Sequence, residues 1–169
     1  MEIRNSTIVP SWLIYSKNDI VVDIADTVIS VYADAFGKQT LSEIKLQINI
    51  CNQPITYLPS DSWGGFMIFL PVKEVCYAQM IYQLSHELSH VVMNCYPRKR
   101  QLEVIGESLC CAATFYAMDV VIKDKWTANS NLSQLTIADD SYSKNGQPYI
   151  EALSLYLTNA KQKWILFQY

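Results

Sequence analysis

The chain is short of charge. Only 17% of its 169 residues are Asp, Glu, Lys or Arg, and the formal net charge is −3 at pH 7. Ordinary soluble domains carry about 25%. A disordered chain is excluded, because disorder goes with polar, highly charged composition. A nucleic-acid partner is not expected either, since the one basic run is Arg98-Lys99-Arg100. Long apolar runs are also missing. The nearest, Leu109 to Ile122, is 14 residues long and contains Asp119. It predicts a buried helix and no membrane span, which would need about 20 apolar residues. There is no CxxC, and the five cysteines are an odd number. Reduced thiols are expected, and a thiolate zinc site is not. The opening MEIRNSTIVPSW has no apolar core after a basic start, so no secretory signal is read there and a cytoplasmic location is expected. No repeat, low-complexity tract or linker occurs. Half of the residues are hydrophobic, and the length predicts one domain over residues 1–169.

What is present reads as strands early and helices late, the pattern of an α+β domain. Thr7 to Tyr15 predicts a first strand, placed at an edge because Pro10 interrupts it. Asn18 or Asp19 can cap a helix to about Phe36, with Ile20, Ile24, Val28, Val31 and Ala35 along one face and Gly37 as its stop. Ile44 to Cys51 alternates with period two, as a half-buried strand does. Asn52 to Pro59 is turn-rich, and Gly65 to Leu70 predicts a short strand ended by Pro71. A long helix is expected over about Lys73 to Cys95. Its core face is Met80 or Ile81, Leu84, Leu88, Val91 and Val92. Another follows over about Gln101 to Lys123. After a loop at Asp139 to Pro148, a last helix is expected to Lys163.

Both of the chain's histidines fall within five residues, in His86-Glu87-Leu88-Ser89-His90. This HExxH lies inside the long helix. Residues i and i+4 share a helix face, with Cβ atoms about 5–6 Å apart. Two imidazoles so placed can converge on one Zn²⁺ at about 2.0–2.1 Å. Glu87 is turned about 100° around the helix from His86. It is therefore placed to act beside the metal: to take a proton from a water that the metal makes acidic, and to deliver it to a leaving amine. Two histidines beside a buried apolar face would be costly to desolvate unless something pairs them.

A catalytic zinc takes three protein ligands, and no third histidine exists, so the third ligand is expected to be a carboxylate ahead of a cysteine. The next helix offers Glu103 and Glu107, which are 13 and 17 residues after His90, with Cys110 and Cys111 beyond them. From His90 the first helix still runs about five residues, some 7–8 Å, away from the metal. A returning antiparallel helix has to climb the same distance. That places Glu107 nearer the metal than Glu103.

With HExxH on one helix and a glutamate on the next, the sequence resembles the gluzincin zinc metallopeptidases. Gly106-Glu107-Ser108-Leu109 looks like the segment that carries the glutamate ligand in gluzincin aminopeptidase-like domains. The resemblance implies a small zincin-like fold: an N-terminal mixed β-sheet with an edge strand, then the two helices. It implies that His86, His90 and Glu107 bind zinc, that Glu87 is the acid/base, and that the substrate is a peptide or protein. Cys111, four residues after Glu107, stands where thermolysin has an aspartate. Trp63-Gly64-Gly65-Phe66-Met67-Ile68 sits where such enzymes place the edge strand that binds substrate backbone, which makes Gly64, Gly65 and Phe66 substrate-binding candidates. Tyr142-Ser143-Lys144-Asn145-Gly146 is similar to the Tyr-x-Lys-Gly segment whose tyrosine stabilises the oxyanion, with Asn145 as an extra residue. Tyr142 is thus a second catalytic candidate. Two other readings fit the same motif: a catalytically silent zinc-binding interaction domain, and a regulatory protease specific for one partner protein.

Overall fold

The computed structural model describes residues 2–51, 56–60, 65–71, 76–93 and 100–135. Five strands form one mixed sheet: β1 (Glu2–Asn5), β2 (Trp12–Ser16), β3 (Leu46–Ile50), β4 (Thr56–Ser60) and β5 (Gly65–Leu70). Their order across the sheet is β1-β2-β3-β5-β4. β3 is parallel to both β2 and β5, whereas β1 and β4 run antiparallel to their neighbours at the two edges.

The N-terminal strand differs from its expected form. The segment from Thr7 to Tyr15 is divided, and Pro10 lies in the connection of a β1–β2 hairpin. Local side chains compete successfully with a ladder here. The Ser6 hydroxyl accepts from the Ile8 and Val9 N–H groups, each at 3.1 Å, and Thr7 donates from its N–H and its hydroxyl to Asp26 (3.0 and 2.8 Å). β2 is consequently an interior strand.

The helices are α1 (Asp19–Phe36), the short α2 (Lys38–Ser42), α3 (Tyr77–Met93) and α4 (Arg100–Val120). Asn18 caps α1 by accepting from the Ile20 N–H at 2.9 Å. Gly37 ends it at a φ of +88°, where its N–H reaches the Ala33 carbonyl at 3.0 Å. An L side chain would be strained in that backbone conformation. Ile24, Val28 and Val31 of the expected face are buried, Ile20 is half-buried, and Ala35 is exposed in the last turn. α4 continues as a π-helical turn, Val121–Lys125.

Sheet residues Trp12, Ile14, Leu46, Ile48, Ile68 and Leu70 are fully buried with Ile24 of α1 and Ile81, Leu84 and Leu88 of α3. Alternate strand positions are only half-buried, so the helices cover one face. Such segregation defines an α+β architecture. Among the described residues no helix is long and apolar enough to cross a membrane. The expected loop at Asp139 to Pro148 and the last helix lie outside the described residues.

Candidate metal centre

The apolar stripe of α3 fixes which way its histidines face. Met80, Ile81, Leu84, Leu88 and Val91 enter the core, and the helix is locked in rotation by a buried polar contact. The Tyr32 hydroxyl, from α1, donates to the Ser85 carbonyl at 2.7 Å and lies 2.7 Å from the Ser89 hydroxyl. Burial pushes the Tyr32 phenol well above its ordinary pKa, so it stays neutral. Gln83, His86, Glu87 and His90 are left on the face that meets α4. With Tyr82 and Glu107 they line an open cleft of about 400 Å³.

α4 returns antiparallel to α3: Glu107 meets His86 and His90, Cys110 meets His90, and Phe115 meets Tyr82 one turn further back. His86 Nε2 lies 3.2 Å from Glu107 Oε2, and His90 Nε2 lies 3.3 Å from Glu107 Oε1. The two Nε2 atoms are 3.2 Å apart. Three groups that would each offer a lone pair thus crowd one point, and this group can hold a metal ion. The spacing can be tested against a definite ion. Ligands at about 2.0–2.1 Å in a tetrahedron are separated by about 3.3–3.4 Å. The edge between the two Nε2 atoms, at 3.2 Å, is close to this. The two carboxylate distances run to different oxygens, and one donor atom from each of the three side chains lies within 4.8 Å of the others.

The ring nitrogens that face away from this point differ. His90 Nδ1 lies 3.3 Å from the buried Cys110 Sγ. His86 Nδ1 is buried without a hydrogen-bond partner among the described residues, while its ring stacks on Tyr82. Burial and the neighbouring His90 push the His86 pKa down, against a partial pull upward from Glu107. The neutral imidazole that a metal requires is therefore the favoured form. Glu87 is only 6% exposed, and burial, helped by the Glu107 charge, raises its pKa from 4.5 to about 7. A carboxylate that exchanges its proton near neutrality is suited to general acid–base work. Burial, with the Glu107 charge as a smaller cause, also pushes the Cys111 thiol up.

Other candidates stand elsewhere. Gly65 and Phe66 do not lie on an edge strand: β5 is paired with β3 on one side and β4 on the other. The Phe66 N–H is spent on the Lys45 carbonyl at 2.9 Å. Among the described residues the free edge belongs to β4, from the stretch that reads as turn-rich. Because Phe66 faces β3, its partner Pro59 turns its nitrogen to the open side, and the missing N–H costs no ladder bond. Gly64 and Tyr142 lie outside the described residues, as does the side chain of Glu103. Sequence reasoning missed Cys110 as the neighbour of His90, Tyr32 as the anchor of α3, and Gln83 as part of the cleft. Comparison with protein-family models, curated proteins and solved structures finds no match.

Proposed function

We propose that this chain is a zinc-dependent peptidase of minimal gluzincin type, with a zincin-like arrangement of sheet and helices. The observation that carries the reading is the convergence of His86, His90 and Glu107, one donor atom from each within 4.8 Å of the others, with Glu87 in the same cleft. His86 and His90 would bind through Nε2 and Glu107 through its carboxylate. Zinc held there would polarise a substrate carbonyl and make a water acidic near neutral pH. Glu87 then takes the proton of the attacking water on its carboxylate. As the carbon–nitrogen bond breaks, it returns that proton to the leaving nitrogen, which departs as an amine. An extended substrate can lie along β4, where Tyr57 offers an N–H and a carbonyl, and Pro59 offers a carbonyl only.

Elemental analysis of wild type and His86→Ala, joined to a peptide-library digest read by mass spectrometry, tests this. One zinc per chain, absent from the variant, and zinc-dependent cleavage are expected. A wild type that takes up no metal after zinc reconstitution would sink the reading. Zinc without cleavage of any peptide would leave a silent metal-binding domain in its place.

Cys110 serves this site as a positioning residue. With His90 Nε2 on the metal, Nδ1 carries the ring proton and donates it to Cys110 Sγ, which fixes the ring. Cys110→Ala should lower zinc affinity by about 10–100-fold, measured by chelator competition. Cys110→Ser, which restores an acceptor, should recover most of it. Equal losses in both variants would show that the thiol matters for packing alone.

A further inference from the structure

Gln83 stands out among the residues around the cleft. It lies one turn before His86 on α3 and three and four positions from His86 and Glu87, on the same helix face. It borders the cleft, yet it is only 8% exposed. Its Oε1 is buried and accepts no hydrogen bond among the described residues. Beside it on α3, Met80, Ile81 and Leu84 are buried, while Tyr82, His86 and Glu87 line the cleft. An amide oxygen buried there unpaired destabilises the free protein. The terminal torsion of a glutamine is broad, so a modest rotation can present either its donor or its acceptor to the cleft.

We propose that Gln83 is a specificity-determining residue whose side-chain amide hydrogen-bonds an amide group of the substrate beside His86 and Glu87. The inference rests on the peptidase reading. A group that carries both a donor and an acceptor complements the primary amide of Gln83. In a peptide substrate this is a main-chain amide or the side-chain amide of Asn or Gln. An apolar side chain placed there would leave the Gln83 amide buried and unpaired, so the interaction also selects against such substrates.

The test uses zinc-loaded protein and hydroxamates, which bind zinc directly. Acetohydroxamate probes the metal alone. Acetylated alanyl hydroxamates add main-chain amides, and their Asn- or Gln-containing counterparts add a side-chain amide. Titration calorimetry on wild type, Gln83→Met and Gln83→Leu compares them. Zinc content and acetohydroxamate affinity should be unchanged in both variants. The affinity gained from the peptide part should fall by about five- to fiftyfold. Loss across the alanyl series assigns the contact to the main chain; loss only with Asn or Gln assigns it to a side chain. Melting temperatures at or above wild type are expected, because a buried unpaired amide oxygen has been removed.

Unchanged affinity for both peptide series in either variant overturns the proposal. So do variants that lose zinc and melt lower, since the amide would then serve the fold. Failure of acetohydroxamate to bind wild type is a different result. It removes the metal-site reading itself, and the Gln83 proposal with it.

Discussion

Glu87→Gln should retain its zinc and lose turnover by about 10²–10⁴-fold, the usual contribution of a positioned acid–base group. Glutamine keeps the shape of the side chain but cannot take up a proton near neutrality. The same substitution should stabilise the metal-free protein, by an amount that depends on pH. The folded-state pKa of Glu87 is raised to about 7 from 4.5 by burial first and by Glu107 second. The folded state therefore holds a proton that the unfolded state has released between those values. The stability this group contributes is fully present below about pH 4.5 and is lost as the pH rises to about 7. His86 acts in the opposite direction. Its lowered pKa makes the folded state hold fewer protons, so its contribution is regained as the pH rises toward 6.5. Both proteins carry His86, so the difference between their melting temperatures isolates Glu87. In chelator, that difference should be near zero at pH 4.5 and should reach a few degrees in favour of the variant at pH 8. A constant difference across that range would show that Glu87 ionises like an exposed carboxyl. Full activity in the variant would remove it from the chemistry.

Local rules carried far where one element decides the outcome. α1 runs from Asp19 to Phe36 because the Asn18 cap and the Gly37 stop are both short-range features. β5 spans Gly65–Leu70, the apolar run before Pro71. The rotation of α3 follows from its apolar stripe, and that stripe puts His86 and His90 on one face. Two strands were less legible. β1 lies ahead of a Ser-Thr turn that resembles a continuation of β2. β4 is rich in turn residues, and its Pro59 is tolerated because no strand among the described residues pairs with it on that side. Neither fact exists until neighbouring strands are paired.

The candidate site divides in the same way. The helix-length argument for Glu107 depends only on rise per residue, and the structure brings that carboxylate to 3.2–3.3 Å from both imidazoles. Cys110 is different. Three residues after Glu107 it can reach His90 only at one crossing of α3 and α4, and no spacing rule specifies that crossing. Tyr32 depends on the packing of α1 against α3, fifty-three residues away from Ser85 in sequence. Gln83 has no sequence signal at all, because a polar residue on an amphipathic helix reads as solvent-facing until its burial is seen.

Glu107→Ala should unload the metal. One of three protein ligands would be gone, and loss of an outer partner alone already costs about 10–100-fold in affinity. The loss here should exceed 100-fold in a chelator competition. The side chain of Glu107 is 56% exposed, so its removal should leave the melting temperature of the metal-free protein nearly unchanged. Unfolding could not then be offered as the cause. Zinc at about 100 times its dissociation constant stabilises a folded protein by about 2.7 kcal/mol. Wild type should accordingly melt several degrees higher with zinc than in chelator, and Glu107→Ala should show almost no such gain. The variant should also release Glu87 from the charge that helps to raise its pKa. Burial is the larger cause, so the pKa of Glu87 should fall but stay above its ordinary value. Glu103→Ala provides the contrast. It is expected to keep zinc, the zinc-dependent gain in melting temperature and turnover. The reverse order between the two variants would mean that the other carboxylate of α4 is the ligand, and that the helix crossing at Glu107 serves only to pair two histidines.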